Sequence, residues 1–194
     1  VEYFSQPGPG TFDTDPLEIG SDLTTLTPVH VDVADIDGDG DLDVASANLD
    51  SDVVALMIQS SPGVFEAVPL TLENDFTTPT FVKIVDVDCD GDMDVVAADS
   101  SKDHLTVFVR VDGGYASEDI LEISSPGNLF STFVAADLDC DGDQDAFVAN
   151  SDRSCDDIAD STVWLNDGNG NFQDSGQRLA TGNQSSDGGL GWRR

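Results

Sequence analysis

Three copies of one acidic loop, spaced 51 residues apart, constrain this chain more than any other feature. The copies read ADIDGDGDLD, VDVDCDGDMD and ADLDCDGDQD, and they begin at Ala34, Val85 and Ala136. Counted from its first aspartate, each loop has aspartates at positions 1, 3, 5, 7 and 9 and glycine at position 6. Carboxylates this close together repel one another unless a cation lies among them. The pattern therefore indicates a metal-binding loop, the alternative being a solvated acidic turn between strands.

Calcium is the cation that suits this arrangement, because it takes six to eight oxygen ligands at roughly 2.3–2.6 Å. The loops differ from the EF-hand, which has a glutamate at position 12 and a helix on each side. Here position 12 is Ser46, Ala97 or Val148, and the flanking residues alternate as in strands. The glycine-rich nonapeptide of RTX proteins is absent as well. The copies are therefore predicted to be nine-residue calcium loops in β-hairpins.

Each loop is predicted to hold one calcium ion through the carboxylates at positions 1, 3, 5 and 9 and the backbone carbonyl at position 7. The position-7 side chains are expected to point to solvent and to tune affinity through their charge. The predicted metal-binding residues of the three sites are Asp35, Asp37, Asp39, Asp41 and Asp43 (loop 1), Asp86, Asp88, Asp90, Asp92 and Asp94 (loop 2), and Asp137, Asp139, Asp141, Asp143 and Asp145 (loop 3).

A turn of glycine followed by an aromatic residue comes after each loop, as PGVF at 62–65, GGY at 113–115 and NGNF at 169–172. A DxDxDGxxD loop between two strands, followed by such a turn, resembles the FG-GAP/VCBS repeat of integrin-α-type β-propellers. The stretch WLNDGNGNF at 164–172 is especially similar to VCBS-type repeats. The resemblance covers about residues 1–180 and implies a propeller fold with loop-bound calcium. Such repeats resemble parts of adhesion receptors, lectins and enzyme-associated modules alike.

The chain is predicted to be all-β, with half a blade and three four-stranded blades that are part of, or assemble into, a larger propeller or array. The predicted units are a half repeat at 1–20, repeats at 21–73, 74–124 and 125–180, and an irregular tail at 181–194. The predicted strands of the three repeats are Val29–Asp35, Asp43–Ala47, Val53–Gln59 and Phe65–Leu72; Phe81–Asp86, Asp94–Ala98, Leu105–Val111 and Tyr115–Ile123; and Phe133–Asp137, Asp145–Ala149, Thr162–Asn166 and Phe172–Leu179.

The half repeat at Val1–Ile19 resembles the third and fourth strands of a preceding blade without its first two strands. A blade cannot bury its faces alone, and exposed strand edges invite pairing. Two arrangements therefore remain open. Either a longer propeller closes the half blade, or its open ends pair with other copies of the chain.

Charge and composition restrict the partners and the compartment. The net charge is −32, with fifteen of the 39 acidic residues in the three loops. A surface this acidic repels nucleic acid and anionic membranes, and no 18-residue apolar run is present to insert into a bilayer. Loops of this kind fill best at millimolar calcium, which predicts an extracellular location, secreted or at the cell surface. The cysteines, Cys89, Cys140 and Cys155, are predicted to be free.

No catalytic motif of the GxSxG, HExxH or Walker type is present, and the two histidines, His30 and His104, lie in or beside predicted strands. The chain is therefore expected not to be an enzyme. The favoured hypothesis is a calcium-binding module for adhesion, protein–protein interaction or self-assembly. The alternative is a glycan-binding or enzyme-associated propeller domain. The expected partner is a protein or glycan at the cell surface, together with other copies of the chain.

Overall fold

The computed structural model describes residues 2–3, 17–19, 27–66, 70–72, 76–101, 104–122, 128–152 and 160–180. These ranges consist of strands, turns and bends, and they contain no helix that is long and apolar enough to cross a membrane. The all-β prediction is confirmed. The predicted tail at 181–194, and Cys155 in the insertion of the third repeat, lie outside the described residues.

The described residues form sixteen strands, most of them in the repeating units. Their bounds are β1 Glu2–Tyr3, β2 Leu17–Glu18, β3 Pro28–Ala34, β4 Asp43–Asn48, β5 Val53–Met57, β6 Gln59–Ser61, β7 Val64–Phe65, β8 Leu70–Leu72, β9 Pro79–Val85, β10 Asp94–Asp99, β11 His104–Val111, β12 Gly114–Glu122, β13 Asn128–Ala136, β14 Asp145–Asp152, β15 Asp160–Asn166 and β16 Phe172–Ala180.

Twelve of these strands form three antiparallel sheets, and in each sheet the strands lie in chain order. Sheet 1 is β3-β4-β5-β8, sheet 2 is β9-β10-β11-β12, and sheet 3 is β13-β14-β15-β16. Two smaller pairs accompany them, β1 with β2 and β6 with β7. A four-stranded antiparallel meander is the unit of a β-propeller blade. The three sheets are the blades that the repeats predicted.

The acidic loops are the hairpin connections between the first and second strands of the sheets, and all three have one register. Ala34 pairs with Asp43, Val85 with Asp94, and Ala136 with Asp145. The position-6 glycines, Gly40, Gly91 and Gly142, have φ of 96°, 95° and 108°. Side chains disfavour that left-handed backbone and glycine does not. The glycine in the repeat is therefore required by the turn.

The second strands of sheets 1 and 2 are buried throughout, because their side chains are small enough for neighbouring elements to approach on both faces. All six residues of β4 and all six of β10 are buried. Ala45 and Ala47 in β4, like Ala97 and Ala98 in β10, have no exposed surface. Valine and alanine in these strands thus place the core between the sheets.

The sheets stack in chain order through two apolar clusters. Between sheets 1 and 2, Leu56 and Ala45 pack with Val82, Ile84 and Phe108. Between sheets 2 and 3, the second cluster joins Val96, Leu105, Phe133 and Val148. On the opposite side of sheet 1, Ile19 packs with Val44 and Met57.

The observed strands lie close to the predicted ones, and the largest difference is in the first repeat. There the predicted third and fourth strands are each divided, into β5 with β6 and β7 with β8. The interruption begins at Ile58, whose carbonyl accepts a hydrogen bond from Glu66 N at 2.9 Å. Next to it, the amide of Gln59 donates to the Asp43 carboxylate at 2.7 Å. The Asp43 side chain of loop 1 thus accepts a hydrogen bond from a backbone amide of the predicted third strand.

Candidate metal centre

Three carboxylates converge in every loop. Their oxygen atoms lie within 4.8 Å of one another in the groups Asp35, Asp37 and Asp39; Asp86, Asp88 and Asp90; and Asp137, Asp139 and Asp145. Two ligands on opposite sides of a calcium ion are separated by about twice its bond length of 2.3–2.6 Å. The spacing therefore fits one calcium ion per loop. Loops 1 and 2 bring together positions 1, 3 and 5, whereas loop 3 brings together positions 1, 3 and 9.

The loops are shaped by hydrogen bonds from their own backbone to their aspartates. In loop 1, Asp35 Oδ1 accepts from Gly38 N at 2.8 Å and Asp35 Oδ2 accepts from Gly40 N at 3.0 Å. The same position in loop 2, Asp86, accepts from Gly91 N at 3.1 Å through Oδ2. These bonds curl the chain around the position-1 carboxylate. The carboxylate groups are therefore held close together by the loop itself.

One carboxylate oxygen in loop 2 shows that the cluster is suited to a cation. Among the described residues, Asp86 Oδ1 is buried and has no hydrogen-bond partner. Buried polar atoms are nearly always satisfied, so an orphaned carboxylate oxygen calls for a further partner. Asp86 shares its group with Asp88 and Asp90, whose oxygens are also acceptors only. A cation is the partner that all three oxygens can share.

Two carboxylates of loop 2, those of Asp88 and Asp94, have raised pKa values. Burial raises the pKa of Asp88, and the charges of Asp90 and Asp86 raise it further. Burial likewise raises the pKa of Asp94 to about 6, against the lowering effect of hydrogen bonds from Arg110 N and Val87 N. In both cases a negative neighbour disfavours the charged form. A divalent cation would reverse that effect.

Loop 3 has the same electrostatic character. Burial and the neighbouring Asp141 raise the pKa of Asp139. Burial raises the pKa of Asp143, and the charges of Asp141, Asp145, Asp137 and Asp167 add to it. In loop 1, burial raises the pKa of Asp43. In all three loops, a nearby positive charge would therefore favour the ionised form of these carboxylates.

The position-9 aspartates have a role that the loop pattern alone did not indicate. Asp43 has no exposed surface, and its two oxygens accept hydrogen bonds from Ile36 N and Gln59 N, both at 2.7 Å. Asp94 accepts in the same way from Val87 N and Arg110 N at 2.8 Å.

Asp145 follows the same rule in loop 3, where it accepts from Leu138 N at 2.7 Å and Asn166 N at 2.9 Å. Asp94 and Asp145 thus tie their loops to the third strands of their own sheets, and Asp43 ties loop 1 to β6, which follows the third strand of sheet 1. A carboxylate has about four lone-pair sites, so two amide donors leave room for a cation as well. Only in loop 3 does this residue also belong to the converging group.

The position-7 aspartates lie outside the converging groups. Asp92 is exposed, whereas Asp41 and Asp143 are partly buried. The Asp143 carboxylate lies against Gly168, where a Cβ atom would come within 2.9 Å of Oδ2. A side chain at this position would have to displace the Asp143 carboxylate, and the positive φ of Gly168, 73°, also disfavours one. Sequence reasoning did not connect that turn with the acidic loop.

Cys89 and Cys140 are free and exposed, which confirms the prediction for these two. They occupy position 4 of loops 2 and 3, where loop 1 has Gly38. Both have positive φ, 60° for Cys89 and 69° for Cys140. That backbone is unfavourable for a residue with a side chain. Partial loss of hydration and the charges of the surrounding aspartates raise the pKa of the Cys89 thiol, so its thiolate is disfavoured.

The repeats, each with an acidic loop and a four-stranded sheet, identify the family of the chain. Residues 35–97 and 86–148 each match the model of the FG-GAP-like repeat, and together they span more than half of the chain. The chain belongs to the FG-GAP-like repeat family. Each match begins at the first aspartate of one loop. It ends in the strand that directly follows the next loop, which is β10 for the first match and β14 for the second. No curated protein and no solved structure matches the chain.

Proposed function

We propose that this FG-GAP-like repeat protein is an extracellular calcium-binding module for protein interaction and self-assembly. The observation that carries the calcium assignment is the convergence of three acceptor-only carboxylates in each loop, together with the orphaned oxygen of Asp86. The loops are suited to calcium rather than magnesium, because they offer many oxygens without rigid octahedral geometry. Affinities of such extracellular sites fall in about the 10⁻⁴–10⁻³ M range.

Bound calcium would supply charge neutralisation and cross-linking, and the residues of each loop have distinct parts in holding it. The position-1, -3 and -5 carboxylates provide oxygen ligands, and the position-7 backbone carbonyl is proposed to complete the set. The position-9 carboxylate fixes the loop to the third strand or, in loop 1, to β6, and remains available as a ligand. The protein ligands would fill most of the coordination positions of the ion and leave little room for a substrate, so we propose that the chain has no catalysis of its own.

Equilibrium dialysis at about 10 mM calcium, which is about ten to one hundred times the expected Kd, followed by elemental analysis, tests the assignment. We expect three ions per chain. Asp37→Ala, Asp88→Ala and Asp139→Ala, one in each loop, should each remove about one ion. A chelator should lower the melting temperature substantially, because a site filled at 100 times its Kd adds about 2.7 kcal/mol to the free energy of unfolding. Fewer than two ions per chain, or an unchanged melt, would refute the proposal.

Self-assembly is supported by apolar positions of the repeat that are buried in sheet 2 but exposed in sheet 1. Val31 and Val33 of sheet 1 are 48% and 55% exposed, whereas Val82 and Ile84, their equivalents in sheet 2, are 0% and 5% exposed. The equivalents in sheet 2 are covered by sheet 1. Beside the contact that Ile19 makes with Val44 and Met57, β3 of sheet 1 therefore presents an exposed apolar part of the face that in sheet 2 is covered by the preceding sheet.

Sheet 3 presents the complementary face. Leu138 at position 2 of loop 3 is 45% exposed, whereas Ile36 and Val87 at the same position of loops 1 and 2 are 3% and 0% exposed. Val134 in β13 is 50% exposed as well. We propose that the face of sheet 3 packs on the face of sheet 1 of a second copy, in continuation of the contacts between the sheets. Unlike faces that pair in this way form rings or open arrays.

Light scattering over a range of protein concentrations in calcium tests the contact. Val31→Lys or Val134→Lys should each prevent association, because the lysine charge would be buried at the contact. Val64→Lys is the matched control, since Val64 is 55% exposed but lies in the small β6-β7 hairpin. A wild-type chain that stays monomeric at all concentrations would refute self-assembly. A glycan array in calcium separates the protein-interaction proposal from the glycan-binding alternative.

A further inference from the structure

Two side chains reach from one sheet to the acidic loop of the preceding sheet. Arg110, in the third strand of sheet 2, donates a hydrogen bond from Nη1 to the carbonyl of Ile36 in loop 1. Asn166, at the end of the third strand of sheet 3, donates from Nδ2 to the carbonyl of Val87 in loop 2 at 2.7 Å. Ile36 and Val87 both occupy position 2, between the ligand positions 1 and 3. The same connection is therefore made twice.

Each of these residues also contacts the loop of its own sheet. The backbone amide of Arg110 donates to Asp94 of loop 2 at 2.8 Å. The backbone amide of Asn166 donates to Asp145 of loop 3 at 2.9 Å, and its Nδ2 also donates to Gln144 O at 3.1 Å. Arg110 thus joins loop 1 to loop 2, and Asn166 joins loop 2 to loop 3.

The Asn166 side chain is buried, and both of its polar atoms are hydrogen-bonded. Asn166 is only 5% exposed. Its Nδ2 donates to two carbonyls, one in each loop, and its Oδ1 accepts from Asp167 N at 2.9 Å. A fully satisfied and buried polar group has few alternative positions, because every move leaves an unpaired donor or acceptor. A shift of one loop is therefore transmitted to the other.

Gln59 shows what the equivalent position does without such a connection. Its backbone amide donates to Asp43 at 2.7 Å, as in the other two sheets. Its side chain, however, donates to Leu42 O at 3.1 Å and accepts from Gly63 N at 2.6 Å, both within its own repeat. Gln59 therefore serves as a natural control for Arg110 and Asn166.

We propose that Arg110 and Asn166 are positioning residues that couple neighbouring calcium loops, so that filling one loop raises the affinity of the next. This inference rests on the calcium binding proposed above. An ion that orders the peptide between positions 1 and 3 also orients the position-2 carbonyl, which strengthens the hydrogen bond to the neighbouring sheet. By linkage, the effect on the two loops is reciprocal. Charge repulsion between ions in neighbouring loops would have the opposite sign, so the sign of the coupling identifies its origin.

Calcium titration by calorimetry in an Asp37→Ala background tests the coupling, since only loops 2 and 3 then bind calcium. We expect positive cooperativity between the two remaining sites. Adding Asn166→Leu, which keeps the approximate volume but removes both donors, should abolish the cooperativity. It should also weaken binding about tenfold, because a buried carbonyl loses its partner. Adding Gln59→Leu should leave the titration unchanged.

A second background keeps the inference testable if Asn166→Leu does not fold, as judged by its circular dichroism and melting temperature in calcium. Asp139→Ala removes the loop 3 site and leaves loops 1 and 2, which Arg110 joins. Arg110→Met should then abolish their cooperativity. Independent or negatively coupled sites that neither variant changes would overturn the inference while calcium binding itself stood. No calcium uptake by the wild-type chain would refute the proposed function instead.

Discussion

Asp32 of sheet 1 accepts two hydrogen bonds from sheet 2 through one oxygen, from Lys83 Nζ at 2.9 Å and from Ile84 N at 2.8 Å. The Lys83 side chain is 36% exposed and the Asp32 side chain 19% exposed. The ion pair is therefore partly screened by solvent, whereas the backbone amide of Ile84 depends on Asp32 for its bond. The carboxylate stabilises the contact between the sheets mainly through the amide.

This relationship predicts unequal effects for the two partners of the ion pair. Asp32→Ala should lower the free energy of unfolding by about 1–3 kcal/mol, because it leaves a buried amide unpaired. Lys83→Met should cost less than about 1 kcal/mol, as for other partly exposed ion pairs. Urea unfolding of both variants at saturating calcium measures the difference. Equal losses would show that the ion pair, not the amide, holds the sheets together.

Substitutions at positions 3 and 9 of loop 2 are predicted to have opposite effects on the melting temperature once calcium is removed. In chelator, Asp88→Asn should raise the melting temperature, because it removes one charge from a self-repelling cluster. In calcium the same variant should lower it, because a ligand is lost. Asp94→Asn should lower the melting temperature in both conditions, since the Asp94 carboxylate accepts from Val87 N and Arg110 N. Melting curves of both variants with and without chelator provide the test.

If Asp88→Asn behaved like Asp94→Asn in chelator, repulsion among the carboxylates would not be the dominant feature of the empty loop. Asp50→Asn is a useful control, because Asp50 is exposed and lies outside the three loops. It should show no such reversal.

Asp99 predicts a pH dependence that is separate from the metal loops. Burial alone would raise its pKa, but hydrogen bonds from Ser101, Thr78 and Thr77 outweigh burial and hold the pKa well below its usual range. A carboxyl with a lowered folded pKa stabilises the fold above its unfolded pKa of roughly 3.9. That contribution is lost as the pH falls from there through the folded pKa.

Asp99→Asn should therefore be clearly less stable than the wild type at pH values around 7, and the difference should shrink below about pH 4. Urea unfolding in chelator at both pH values removes any effect of calcium from the comparison. A difference that does not change with pH would mean that the side chain acts through its shape and not through its charge.

Cys89→Gly and Cys140→Gly are predicted to stabilise the protein in calcium. Both cysteines hold a positive φ that glycine adopts without a steric penalty, as Gly38 does at the same position with φ 80°. Relief of that backbone strain is worth about 1 kcal/mol, less the higher entropy of glycine in the unfolded chain. Thermal unfolding under reducing conditions measures the net gain. A loss of stability on both substitutions would indicate that the thiols make contacts of their own.

The acidic loops and most of the strands were predictable because their determinants are local. Alternating apolar residues indicate a strand within a few positions, and the aspartate spacing with glycine at position 6 defines a hairpin loop over nine residues. Repetition at 51 residues strengthened both inferences, since three copies agree. The division of strands in the first repeat was not predictable from the local pattern, because β6 and β7 pair with each other in a separate hairpin.

By itself, the sequence determined that the chain is a β-repeat protein with three acidic loops, because strand alternation and loop spacing act between near neighbours. Only the tertiary structure decided which partners the loop residues have. Asp145 meets Asn166 N 21 residues along the chain, and the Asn166 side chain meets Val87 O across 79 residues. Such partners come within hydrogen-bond distance only after a sheet has formed and packed on its neighbour, and no local pattern records that packing.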